Sequence, residues 1–202
     1  MVLLSRSEAV PEPGRVLPAA LTRTAINCPS DRLISSRKII DEVTLDGFSE
    51  MLLAAGEAPL VSYVPAHDVD PGLPLRLIWL RAFHEPVIVR VIQASEGTAE
   101  LAAKQLNLRS RPREAHGPEE KISRPLTRQE LDGLAKLLEI SELLAQGSGS
   151  CDWGIDGSSW MLEAISGDGY RFIDRWSPQE GSMRDVGFAL ADLTGWQFEE
   201  VY

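Results

Sequence analysis

The chain has 202 residues, 44% hydrophobic and 25% charged, which suits one globular domain with an extension and excludes wholesale disorder or a fibrous repeat. No apolar run approaches the roughly 18 residues that span a bilayer. The start, Met1-Val-Leu-Leu-Ser-Arg-Ser-Glu8, lacks the basic region and apolar length of a signal peptide, so the expectation is a cytoplasmic protein without membrane contact.

Charge is unevenly spread. The net charge is −10, and residues 129–202 supply all of it, with four basic against fourteen acidic residues. Such a segment repels phosphate backbones, which argues against a nucleic-acid partner. It favours encounter with a basic protein by electrostatic steering. Cys28 and Cys151 belong to no CxxC pair, so neither a disulfide scaffold nor a Cys-based zinc site has support. His67, His84 and His116 are equally scattered.

Residues 1–70 read as an N-terminal extension with one short helix, and 71–202 as the main domain. Four prolines within residues 1–30 break any period. Ile40, Val43, Phe48, Met51 and Leu52 suggest the short helix between Ile39 and Ala55. Leu75–Arg81 and the β-branched Val87–Ile92 read as strands. Ala99–Leu106 is read as a third strand after the Glu-Gly turn, although its composition also suits a helix. The Arg- and Pro-bearing stretch 108–125 reads as an exposed loop. The spacing of Leu131, Leu134, Leu137, Leu138 and Leu144 after Thr127 and Glu130 predicts a capped amphipathic helix over 127–145 that Gly147 stops. Met183, Val186, Leu190 and Leu193 predict another over 182–194, capped from Ser177 or Ser182 and ended at Gly195. The fold class is α+β: a largely antiparallel sheet of four to six strands with these two helices packed on one face.

Between the helices, Trp160–Ser166 and Tyr170–Trp176 form a hairpin about Gly167-Asp-Gly169. A three-residue loop puts Trp160, Leu162, Tyr170, Phe172, Asp174 and Trp176 on one face, and sets Glu163 diagonally between Arg171 and Arg175 for ion pairing. A two-residue Asp-Gly turn would oppose Glu163 with Asp174, so the first register is preferred. The pattern Asp156-Gly-x-x-Trp160-x-Leu-Glu163, then Tyr170-Arg-x-x-Asp174-Arg-Trp-Ser-Pro178, resembles a family of small uncharacterised bacterial proteins with no established activity. Phe83-His-Glu-Pro-Val-Ile-Val-Arg90 is similar to a second segment of that family, and the resemblance covers about residues 75–195. Members usually carry Tyr-His where this chain has Tyr170-Arg171, and more Gly within 107–121.

The Walker loop, GxGxxG, HExxH, GxSxG and CxxC are all absent from the sequence. Asp152, Asp156, Gly157 and Glu163 match four positions of a calcium-binding EF-hand loop, but Gly154 and Ser159 do not, and Trp160 opens a strand rather than a helix. No metal and no cofactor is expected. The function that fits best is a non-catalytic acidic binding protein, of the immunity or inhibitor kind, that neutralises a more basic partner protein. Its contact residues would be Trp153, Asp156, Trp160, Glu163, Tyr170, Asp174, Arg175 and Trp176. The alternative is a small hydrolase using His84 with Asp156, Glu163 or Asp174.

Overall fold

The computed structural model describes residues 3–29, 36–64, 73–95, 98–107, 118–152 and 154–198. Its strands are β1 (Leu3–Leu4), β2 (Ala25–Asn27), β3 (Ser36–Lys38), β4 (Leu75–Arg81), β5 (Val87–Ser95), β6 (Thr98–Leu106), β7 (Pro118–Leu126), β8 (Ser158–Ser166) and β9 (Gly169–Trp176). The helices are α1 (Glu42–Ala54), α2 (Arg128–Ser141) and α3 (Ser182–Asp192). No helix among the described residues is long and apolar enough to cross a membrane.

The α+β class with an antiparallel sheet is correct, but the sheet has seven strands, in the order β1-β9-β8-β4-β5-β6-β7. Two strands account for the difference. Pro118–Leu126 forms β7 along β6 where the composition suggested a loop. Charged residues and prolines suit an edge strand, where they discourage further pairing. Leu3 and Leu4 add a short strand beside Arg171 and Tyr170. The β2–β3 hairpin is a separate two-stranded sheet.

Alternation along the central strands sends apolar side chains to both faces. One face carries Leu77, Val89, Leu101 and Leu162, packed against Leu134 and Leu138 of α2 and Met183, Val186 and Leu190 of α3. The other carries Ile78, Ile88, Met161 and Phe172 under Leu45 and Leu52 of α1, with Leu17 and Leu21 from the N-terminal stretch. The N-terminal residues thus help to close a second core. Each such fully buried side chain contributes about 1.5–3 kcal/mol.

Helix α2 starts as its sequence requires. Thr127 Oγ1 accepts from the Glu130 N–H, and the Glu130 carboxylate accepts from the Thr127 N–H, a capping box. The helix ends earlier than Gly147, at Glu142 in the left-handed region (φ 50°), with a 3-10 turn over Leu143–Ala145 following. Helix α3 is preceded by Gly181 (φ 88°) and has no side-chain cap; Ser182 Oγ instead donates to the Ser141 carbonyl at 2.6 Å and ties α3 to α2.

Hydrogen bonds from Arg124 and then Thr127 hold the Glu130 carboxyl at about 2. A carboxyl depressed from its ordinary value near 4.3 contributes stability that is complete above that value and disappears as pH falls toward 2. Glu130→Gln is therefore expected to cost about 1 kcal/mol at pH 7, and less at pH 3. Urea midpoints at the two pH values check this, and an equal loss at both would refute it.

Candidate functional site

The hairpin adopts neither register considered from the sequence. Ser166 pairs with Gly169 across a two-residue Gly167-Asp168 turn, so Glu163 stands opposite Phe172 and Met161 opposite Asp174. Gly169 (φ 126°) is required there because a Cβ would lie 2.3 Å from the Leu4 carbonyl oxygen of β1. A slip of one residue exchanges the faces of a strand. Glu163 accordingly faces away from Arg171 and Arg175 and toward α1, on the side of Tyr170, Phe172 and Asp174. The predicted Glu163–Arg175 pairing is replaced by Glu163–Arg76, and Arg175 Nη2 donates to the Gly147 carbonyl at 2.7 Å.

Glu163 joins a buried ionic network. Arg76 Nε donates to Glu163 Oε2 at 2.5 Å, and Tyr170 Oη donates to Glu163 Oε1 at 3.0 Å. Arg76 Nη1 reaches the Ala58 carbonyl (2.7 Å) and Glu57 (3.4 Å). Lys104 Nζ donates to Glu57 Oε1 at 2.5 Å, Arg90 donates to Glu57 Oε2, and the Arg90 guanidinium lies over the Tyr63 ring. Two carboxylates therefore serve three cations beneath α1. Burial opposes ionisation of Glu57, yet Lys104, Arg90 and Arg76 together hold its carboxyl below the usual range. Burial and the neighbouring Glu163 push the Tyr170 hydroxyl well up. Arg76 Nη2 and Arg90 Nε find no hydrogen-bond partner among the described residues, but both carboxylates are buried and paired with cations, which makes the network a structural element.

Trp160 is also fully buried, packed at a 40° tilt against Trp79 with ring centroids 4.7 Å apart. Of the eight expected contact residues, Trp160, Glu163 and Tyr170 therefore lie in the interior, and Trp153 lies outside the described residues. Asp156 is exposed, Arg175 and Trp176 are half-buried, and Asp174 is buried at the floor of a cleft.

That cleft, about 530 Å³, opens between β3, the start of α1 and the α1-side face of β8 and β9. Arg37, Asp41, Phe48, Asp152, Asp174 and Trp176 line it over an apolar base of Ile39, Ile40 and Met161. Asp174 Oδ1 accepts from Ser159 Oγ at 2.9 Å and Oδ2 from Arg37 Nη2 at 3.2 Å. Burial, the largest influence, pushes the Asp174 carboxyl upward despite those donors and Arg175. Arg37 Nε also donates to the Ser150 carbonyl at 2.8 Å. Trp176 leaves room for nothing but glycine across from it: a Cβ on Gly154 would lie 2.6 Å from its Nε1. The Asp-x-Gly-x-Asp-Gly loop thus serves to wrap this indole. With Glu163 held by Arg76, the EF-hand ligand set is not assembled. Among the described residues no group of three or more His, Cys, Asp or Glu is placed to hold a metal ion.

A disulfide ties the β2–β3 hairpin to the segment that carries Asp152, contrary to the sequence expectation. Cys28, just after β2, is bonded to Cys151, with Cα atoms 5.6 Å apart. A sequence separation of 123 residues hides such a pairing, because only the fold brings the β2–β3 hairpin to the segment before β8. Sequence reasoning also missed Arg37, Asp41 and Phe48, which lie in the N-terminal stretch and carry no motif. One signal was available: Arg76 and Glu163 are opposite charges set among apolar neighbours within their strands, and a charge buried there needs a partner.

Within the hydrolase set, Glu163 is held away from His84. His84 lies in the β4–β5 turn beyond Arg81, whereas Glu163 pairs across to Arg76, five residues or about 16 Å back along the strand. The turn does meet the 154–157 loop, where the Ala82 N–H donates to the Gly157 carbonyl at 2.9 Å. This brings exposed Phe83 (56%) and Ile155 (83%) to the same end as Asp156. No family model matches the chain, and no curated protein matches it.

Proposed function

We propose that this protein is a non-catalytic binding protein that engages a more basic partner protein, in the manner of an immunity or inhibitor protein. The carrying observation is the cleft end of the molecule, where Asp41, Asp152 and Asp174 line a concave surface with Phe48 and Trp176. Phe83, Ile155 and Asp156 are exposed on the loops that meet at that end. A recessed aromatic and apolar centre beside carboxylates is the arrangement of a binding surface that accepts positive charge. Binding is favoured over hydrolysis because Glu163 is bound to Arg76, and Asp174 to Ser159 and Arg37. The Cys28–Cys151 bond belongs in an oxidising compartment, so the reading places the protein there rather than in the cytoplasm.

The test is affinity capture from extracts of the source organism at low and high salt, followed by titration of the purified captured protein. The expected result is one basic partner held at low salt, with the Asp152→Lys/Asp156→Lys variant at least about tenfold weaker, or about 1.4 kcal/mol. Retention of no partner at either salt, or an unchanged affinity on charge reversal, would overturn the reading.

A further inference from the structure

We propose that the cleft is an anchor pocket for one arginine side chain of the partner, an inference that rests on the binding reading above and specifies its chemistry. Three carboxylates line the cleft against two cations, Arg37 and Lys38. Arg37 is already bound to Asp174 and to the Ser150 carbonyl. A carboxylate oxygen accepts more than one hydrogen bond, so Asp174 retains lone pairs after Ser159 and Arg37 have fixed its orientation. It is thus a preorganised acceptor at the floor. An anion would find the start of α1 occupied, because Asp41 Oδ1 accepts from the Thr44 N–H at 2.8 Å. Phe48 and Trp176 present aromatic surface, on which a guanidinium stacks better than an ammonium and loses less hydration. Ile39, Ile40 and Met161 supply an apolar lining for the methylene stem. A cleft of about 530 Å³ accommodates the side chain together with adjoining backbone.

The pocket is tested without the partner. N-acetyl-arginine methylamide is titrated into the full chain and followed by NMR shifts of indole N–H signals, beside the lysine and citrulline analogues. The arginine probe is expected to bind at least about tenfold more tightly than citrulline, which lacks the charge, and more tightly than lysine. Asp152→Asn and Trp176→Phe are expected to weaken it severalfold while thermal melting shows each variant folded. Equal response to the arginine and citrulline probes, or no saturable response, would overturn the inference. Failure here alongside a captured basic partner removes the pocket and leaves the binding function. A pocket that binds the probe while no partner is captured removes the function as stated.

Discussion

Replacing Arg76 by Met is expected to destabilise the protein by about 3–5 kcal/mol, because it strands Glu163 as an uncompensated charge in the core. Arg76 and Glu163 are both completely buried, and after the substitution only the Tyr170 hydroxyl, among the described residues, remains on Glu163. Glu57 keeps Arg90 and Lys104, so the damage falls on the Glu163 end of the network. A stranded buried carboxyl prefers its neutral form, and its folded-state pKa rises above the unfolded value. The stability it retains is then present at low pH and lost as pH rises, so the deficit should be smaller near pH 4 than at pH 8. The double variant Arg76→Met/Glu163→Leu should recover much of the loss, since a well-packed apolar pair replaces a buried ion pair at little cost. Chemical denaturation of the two single variants and the double variant, read as a double-mutant cycle, decides the matter. Additive losses would show that the two residues do not act as a pair.

The second large effect belongs to the disulfide. Closing a loop between cysteines 123 positions apart in sequence restricts the unfolded chain by about 5 kcal/mol in the chain-entropy account. Cys28→Ser/Cys151→Ser, or the wild type in a dithiol reductant, is therefore expected to lose several kcal/mol. Hydrogen exchange should quicken first in β2 and β3, which the bond anchors beside the cleft. Arg37 on β3 should then hold Asp174 less firmly, and binding at the cleft should fall together with stability. Guanidinium midpoints with and without reductant measure the first effect, and coincident curves would dismiss it.

How much was legible follows from what each element depends on. Helix α2 and strands β4 and β5 carry their own signals, a capping box with an apolar stripe, an apolar run about Ile78 and Trp79, and a dense β-branched run, and the structure places both strands and the start of the helix as expected. Strand β7 was illegible because an edge strand keeps charges and prolines that read locally as loop. The hairpin register turned on a distant contact. Gly169 was assigned to the turn, but it faces the Leu4 carbonyl of a strand more than 160 residues upstream. That single displacement exchanged the surroundings of Glu163, Tyr170 and Asp174. The cleft was only half legible for the same reason: Asp174 and Trp176 come from the aromatic hairpin, whereas Arg37, Asp41 and Phe48 come from a stretch with no motif of its own.

The strand order has a consequence for the chain as it is made. Residues 3–4 pair only with residues 170–171, and β4 reaches its second partner only when β8 has emerged. Vectorial synthesis delivers the β4–β7 meander after α1 but before α2 and α3, with the face those two helices cover still open, and completes the sheet last. At about 5–20 residues per second, the Cys28 thiol waits about 6–25 s for its partner to be polymerised. Until then the nascent chain carries an unpaired thiol and an open sheet, the two features that chaperones and thiol oxidoreductases recognise.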